Sequence, residues 1–455
     1  MGDDSKRLLI IGGGAAGMSA AIAARRFAPE KEILVLERGP NVSFVLCGLP
    51  YFISGLVPNL NDLVVHTPQY FQSERNIEVR TGQDVKFIDA YNHSIELIDL
   101  PTHRKNVLSY EKLVIAAGAQ PIVPSIHGLG LEGIFALRSL ENAAAIKEFV
   151  GRKPVRKAAI IGAGYIGLEM AESLKLAGVK VTIIEAGPSI LPGSEPEIAA
   201  LIEAELQRQG VELLKSNVVL TIEPGQGPSV GRLTTDRGDI EADMVLVAAG
   251  ARPDAAIARE TGIDIGETGG IVTDEGMRTN VEGIFAAGDC VECRHLLTGR
   301  PIFLPLGTTA NKQGRVAGEN ACGGNASFPG ILGSLAFCLF DTEVARTGLS
   351  EDQARVAGFT PISATVQFPS RAEFYPDAGT LTVKLIAEER TGQLLGAQMA
   401  GKGSAAKRID VVATAIQARM TVADLIHLDL AYTPPLGTTW EGIQLAAQEL
   451  LRRGR

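Results

Sequence analysis

The apolar positions of this chain fall into short unbroken runs that stop at glycine, the pattern of strands buried on both faces rather than on one. Leu9-Ile10-Ile11-Gly12-Gly13-Gly14-Ala15-Ala16-Gly17-Met18 returns 150 residues later as Ala159-Ile160-Ile161-Gly162-Ala163-Gly164-Tyr165-Ile166-Gly167-Leu168. Each copy predicts a strand, a Gly-x-Gly-x-x-Gly turn and a helical stretch, over 18–26 and 169–177. Each then predicts a second strand, over 32–36 and 179–184, that runs into an acid, Glu37 or Glu185. The acids stand 20 and 18 residues beyond Gly17 and Gly167, the separation a dinucleotide-binding βαβ unit requires.

The rest of the pattern fills out that architecture. Runs over 112–118 and 243–250 are apolar strands ending in small residues, and Gln120-Pro121 and Arg252-Pro253 just beyond them read as crossovers between two nucleotide units. The run over 279–289 delivers Asp289 to the carboxyl end of a strand, where ligands bind in open α/β sheets. After about residue 330 the pattern becomes strands over 344–347, 361–368, 381–387 and 394–399, then helices over 407–419, 422–426 and 440–451. The expected fold is α/β: two Rossmann-like dinucleotide-binding domains, one inserted in the other, plus a C-terminal α+β domain. The expected boundaries are 1–113 with 251–328 for the first domain, 114–250 for the inserted one and 329–455 for the last.

Composition narrows the partners. Lys and Arg number 43 against 52 Asp and Glu, a formal charge of −9, which argues against general binding to nucleic acid or to an anionic membrane. Aromatic residues make up 5%, too few for the stacking platforms of single-strand binders. No apolar run approaches the roughly 20 residues that span a bilayer. Residues 1–6 lead directly into the first strand, so a cytoplasmic protein without a signal peptide is expected. Five cysteines in 455 residues suit a reducing compartment better than a disulfide framework. Cys290-Val291-Glu292-Cys293 has no second pair at zinc spacing, and the six histidines form no metal-binding pattern, so no metal is expected.

The glycines have separable tasks. Gly12 and Gly162 make the tight turn, Gly14 and Gly164 let backbone approach a pyrophosphate, and Gly17 and Gly167 let helix and strand close. The helix N-terminus then offers amides and partial positive charge to the phosphates, while Glu37 and Glu185 accept from ribose hydroxyls. Ten residues beyond Glu37 lies Cys47, in Ser43-Phe44-Val45-Leu46-Cys47-Gly48-Leu49-Pro50. A helix starting there would favour the thiolate, the reactive form of a cysteine.

Together these motifs resemble the flavoprotein disulfide reductases with two dinucleotide-binding domains, over nearly the whole chain. The similarity is to the branch with a single redox cysteine: coenzyme A disulfide reductase, coenzyme A persulfide or polysulfide reductase, and NADH oxidase. Glutathione-reductase-like members use Cys-x4-Cys, but the positions five before and five after Cys47 are Val42 and Phe52. The resemblance implies FAD held by Gly12, Gly14, Ala15, Ala16, Gly17, Glu37, Arg38, Ser43, Val85, Ala117, Gly118, Asp289 and Ala310. It implies NADH, preferred over NADPH, held by Gly162, Gly164, Tyr165, Ile166, Gly167, Glu169, Glu185 and Gly250.

The same resemblance implies a homodimer whose C-terminal domain completes the partner's active site. Tyr432, in Tyr432-Thr433-Pro434-Pro435, and Tyr375 would serve the cysteine of the opposite subunit, or else be packed aromatics. Phe374 departs from the two adjacent tyrosines of coenzyme A disulfide reductases. Arg25 and Arg26 resemble the basic pair near the coenzyme A phosphates, and a solvated helix end explains them equally well. The implied activity passes electrons from NADH through FAD to a sulfur substrate at Cys47, with coenzyme A bound to Cys47 in one resting form. The alternatives are an NADH oxidase with a Cys47 sulfenate and an NADH-dependent reductase or redox sensor serving a protein.

Overall fold

The strand Leu8–Ile11 is buried along its whole length and pairs in parallel with Ile33–Leu36 on one side and Lys112–Ile115 on the other. Ile284–Ala286 and Glu78–Arg80 complete a five-stranded parallel sheet. A second five-stranded parallel sheet repeats the order with Glu212–Leu214, Lys180–Ile184, Lys157–Ile161, Met244–Val247 and Ile134–Ala136. Helices cover these strands, which is why their sequences are apolar without alternation. The computed structural model describes residues 6–225 and 227–453; residues 1–5, on which the expectation of no signal peptide rests, lie outside the described residues.

Ala119–Pro121 and Ala251–Pro253 pair antiparallel, with Gln120 opposite Arg252, so the two expected crossovers run side by side between the sheets. Two antiparallel three-stranded layers were not expected: Gln83–Asp89 with Ser94–Asp99 and Arg104–Ser109, and Val219–Pro224 with Val230–Thr235 and Gly238–Glu241. The strand expected over 279–289 is only Ile284–Ala286, because Gly283 turns at φ +81° before it and Gly288 at φ +86° beyond it.

The C-terminal region is a five-stranded antiparallel sheet in the order Leu335–Leu339, Thr342–Gly348, Leu394–Gly401, Thr380–Glu388, Pro361–Pro369. Helices Ala405–Gln417 and Gly442–Arg453 pack on it. The inner strand Thr380–Glu388, between Leu394–Gly401 and Pro361–Pro369, is buried at eight of its nine positions, Lys384 among them. Lys384 meets Glu195 at 2.8 Å, Glu351 at 2.7 Å and Glu197 at 3.2 Å. Gln398 adds two bonds to the same segment, accepting the Glu195 amide at 2.8 Å and donating to the Gly193 carbonyl at 2.7 Å. A buried polar cluster thus fastens the second nucleotide unit to the C-terminal sheet. Among the described residues no helix is long and apolar enough to cross a membrane.

Candidate active site

The two fingerprint turns share one build. Gly12 and Gly162 adopt φ of +103° and +108°, where a Cβ would also meet the carbonyl oxygen of Ala116 or Ala248 at 2.2 or 2.4 Å. At Gly17 and Gly167 a Cβ would strike the oxygen of Gly12 or Gly162 at 1.8 or 2.1 Å. Gly14 and Gly164 face open space and cap their helices with no side chain. Helices Ala15–Phe27 and Tyr165–Leu176 carry no acid in the first turn, so their free amides and positive ends suit a phosphate. Glu37 accepts the Gly13 and Gly39 amides, both at 2.7 Å, and Glu185 accepts those of Ala163 and Gly187 at 2.8 and 2.7 Å. One bond per oxygen leaves each carboxylate lone pairs for ribose hydroxyls. Both cradles fit a dinucleotide.

Around the first cradle, Ser43 turns at φ +51° and its amide donates to the Gly13 carbonyl at 2.9 Å, bringing the chain back past the glycines. Ala117 and Gly118 follow the strand Lys112–Ile115, and Val85 lies half-buried in Gln83–Asp89. Arg38 is exposed. Ala310 is buried in helix Gly307–Ala321, which lies so close to Ala15–Phe27 that a Cβ at Gly314 would meet the Ala16 carbonyl oxygen at 2.1 Å. Asp289 pairs with Arg138 at 3.0 Å, a partner that sequence pattern did not indicate. Around the second cradle, Ile166 is exposed and Gly250 turns at φ +114°.

Cys47 is exposed in the 3-10 turn Leu46–Gly48, directly before helix Leu49–Ser54. That helix packs on Tyr165–Leu176, which packs in turn on the strand Leu335–Leu339. The turn and these three elements gather Cys47, Tyr51, Glu169, Glu172 and Cys338: burial pushes the Tyr51 phenol up, and the charges of Glu169, Cys338, Glu172 and Cys47 add to it. Tyr51 stands one helical turn beyond Cys47, a signal the sequence carried; Cys338 arrives through tertiary packing alone. Tyr165 packs edge-on against Phe337 at 5.5 Å with the Arg346 guanidinium 5.6 Å from its ring, and burial pushes its phenol up.

Burial, with Glu172 behind it, pushes the Glu169 carboxyl from 4.5 up to about 7. Between those values the folded chain binds more protons than the unfolded chain. The stability contribution of this group is therefore full below pH 4.5 and is lost as pH rises through about 7. Glu169→Gln should flatten that loss: its apparent melting temperature should fall less than that of the wild type between about pH 5 and pH 8. Parallel melting profiles would contradict the assignment.

The remaining candidates separate. Tyr375 and Tyr432 are 37% and 45% exposed on loops joined by the Ala372 amide and the Pro434 carbonyl at 3.1 Å, and neither phenol has a hydrogen-bond partner among the described residues. Arg25 and Arg26 do not act as a pair. The Arg25 guanidinium is held by the carbonyls of Arg75 at 3.1 Å, Asn76 at 2.5 Å and Pro29, a structural engagement. Arg26 instead lines a groove of about 350 Å³ with Ser19, Asn311 and Arg315. Cys290 and Cys293 are buried, with burial pushing their thiols up to about 12 and about 11, and they meet different partners: backbone carbonyls for Cys290, Gln313 for Cys293.

Comparison with known proteins agrees with this construction. The family description pyridine nucleotide-disulphide oxidoreductase matches residues 6–314, and its dimerisation domain matches residues 335–442. An NAD(P)H sulfur oxidoreductase (CoA-dependent) of Pyrococcus abyssi is 37% identical over 98% of both chains. An NADH oxidase of Methanocaldococcus jannaschii is 33% identical over 98% of this chain and 99% of its own. The solved structure of an NAD-dependent persulfide reductase from A. fulgidus superposes with a TM-score of 0.95 at 40% identity, covering 98% of this chain and 83% of that one. With its paired fingerprint cradles and its C-terminal sheet, the chain belongs to the pyridine nucleotide-disulphide oxidoreductases, flavoprotein enzymes that use FAD and NAD(P)H.

Proposed function

We propose that this enzyme passes an electron pair from NADH to a coenzyme A persulfide, a polysulfide or coenzyme A disulfide at Cys47. It works as a cytoplasmic homodimer in which 1–113 with 251–328 hold FAD, 114–250 hold NADH and 329–455 form the subunit interface. The observation that carries the proposal is Cys47 itself: an exposed cysteine without a Cys-x4-Cys partner, on a turn whose following helix packs against the helix of the second cradle. The named activities of the P. abyssi and A. fulgidus relatives support the sulfur reading.

FAD, once bound, supplies the two-electron relay between nicotinamide and sulfur that no side chain can supply. Gly12, Gly14, Gly17 and Glu37 hold its pyrophosphate and ribose, with Ser43, Asp289 and Ala310 along the rest. Gly162, Gly164, Gly167 and Glu185 hold NADH, with Tyr165 next to them at the start of the helix. The carboxylate of Glu185 would repel a 2′-phosphate, hence the preference for NADH. Cys47 acts as the nucleophile. Its thiolate attacks the coenzyme A-bearing sulfur of a persulfide and expels hydrosulfide, leaving a Cys47–coenzyme A disulfide. Two electrons and a proton then return the thiolate and release the coenzyme A thiol. Tyr432 of the partner subunit holds a proton at the departing sulfur, with Tyr375 of the partner subunit beside it. Arg26, joined by Arg315 across the groove, takes the coenzyme A phosphates, whereas Arg25 stays structural.

The test is anaerobic. Holoenzyme bleached by NADH should regain its flavin colour on addition of polysulfide with coenzyme A, or of coenzyme A disulfide. NADPH should bleach it clearly more slowly. Rapid turnover with oxygen and no response to either sulfur compound would replace the proposal by the oxidase reading, and equal rates for the two nucleotides would remove the role of Glu185.

A further inference from the structure

We infer that Arg408 is a positioning residue for the active site shared between subunits: it sets the pair of loops that carry Tyr375 and Tyr432. The inference rests on the role proposed above for Tyr432. Arg408 lies in helix Ala405–Gln417 and is 7% exposed. Its guanidinium grips Glu441 through Nε and Nη2 at 2.8 to 3.1 Å and lies 5.6 Å from the Phe368 ring centre. Nη1 donates to the Gly403 carbonyl at 3.1 Å. Nη2 also reaches the Ser370 carbonyl at 3.0 Å and the Leu436 carbonyl at 3.5 Å.

Those last two carbonyls make Arg408 more than one half of a buried ion pair. Ser370 opens the loop that bears Tyr375 and closes it against Gly379, with bonds of 2.7 and 3.0 Å between them. Leu436 belongs to the turn beyond Tyr432, where the Leu436 and Gly437 amides both donate to the Thr433 carbonyl at 2.9 and 3.1 Å. The loops touch through Ala372 and Pro434. A single planar guanidinium therefore ties the bases of both loops to each other and to Glu441, immediately before helix Gly442–Arg453, while the two phenols remain exposed. A lysine ammonium keeps the charge but cannot span a carboxylate and three carbonyls in this fork.

The test uses holoenzyme assayed with polysulfide plus coenzyme A. Arg408→Lys should lower turnover by about tenfold to 100-fold, as misplacing a reacting group by an ångström does. The KM for NADH, the rate of flavin bleaching by NADH and the dimer mass should stay at wild-type values. Glu441→Gln, which keeps the side-chain shape, should act in the same direction and serves if Arg408→Lys does not fold. In a background carrying both Tyr432→Phe and Tyr375→Phe, Arg408→Lys should add less than about twofold, because it acts through those two phenols. Fully additive losses, or an equal loss of flavin bleaching or of the dimer, would reduce Arg408 to a structural role and overturn the inference. A deficient Tyr432→Phe beside an unaffected Arg408→Lys would overturn the inference alone, whereas a fully active Tyr432→Phe would overturn the role of Tyr432 and this inference with it.

Discussion

Cys47→Ser should abolish sulfur reduction, lowering turnover on the order of 10⁴-fold or more, as loss of a covalent nucleophile does. A serine hydroxyl neither attacks a disulfide sulfur nor leaves a product that two electrons can cleave. The substitution is conservative in volume, and it falls on an exposed turn rather than in a core, so the fold should persist. Flavin bleaching by NADH should survive, because the second cradle and the first are built from Gly162, Glu185, Gly12 and Glu37 and do not depend on the thiol. The two half-reactions thus come apart in one variant. Stopped-flow bleaching with NADH, followed by mixing with coenzyme A disulfide, checks both. Undiminished turnover would remove Cys47 from the chemistry.

Lys384→Met should destabilise the protein by about 3–5 kcal/mol, the cost of leaving buried charge without its partner. The Lys384 side chain is 5% exposed and that of Glu195 4%, so water cannot take over the lost pairing. Burial pushes the ammonium pKa down, but bonds from Glu195, Glu351 and Glu197 more than offset this and hold it above its ordinary value. Lys384 therefore stabilises the fold throughout the neutral range, and that contribution is lost only as pH rises through its strongly alkaline folded value. Methionine fills the volume and leaves three carboxylates facing one another. The segment 193–198, where helix Pro196–Arg208 begins, would lose its ion pairs to the C-terminal sheet while keeping the Gln398 bonds. A chain of 455 residues need not unfold in one step, so the comparison is between apparent midpoints in urea followed by flavin fluorescence. Mild acid should restore part of the loss by protonating the orphaned carboxylates. An unchanged midpoint would mean that the cluster contributes nothing net.

How much of this was legible in the sequence follows from which forces each element uses. The two nucleotide units announced themselves because strand, turn, helix and acid recur at fixed spacing, and each glycine answers a local collision. The outer antiparallel layers did not, because half-exposed strands such as Arg104–Ser109 lack a run or an alternation to read. Leu335–Leu339 was missed for a related reason: only Phe337 and Leu339 are buried, too short an alternation to stand out. Within the site, Cys47 was legible from its motif and Tyr51 could have been, one turn away. Arg138, Cys338, Arg315 and Arg408 meet partners 28 to 151 positions distant in the chain, or come from elements that adjoin only after folding. Arg25 and Arg26 show the opposite limit, since adjacent residues of one type took different tasks once carbonyls at the end of helix Pro68–Arg75 enclosed the first.

The central claim is that sulfur exchange occurs at Cys47. The most direct measurement is peptide mass spectrometry of the enzyme after reaction with coenzyme A disulfide in the absence of NADH. A coenzyme A adduct on the peptide containing Cys47, removed when NADH is added to the holoenzyme, is the predicted result. An unmodified Cys47, or an adduct confined to the peptide containing Cys338, would contradict it.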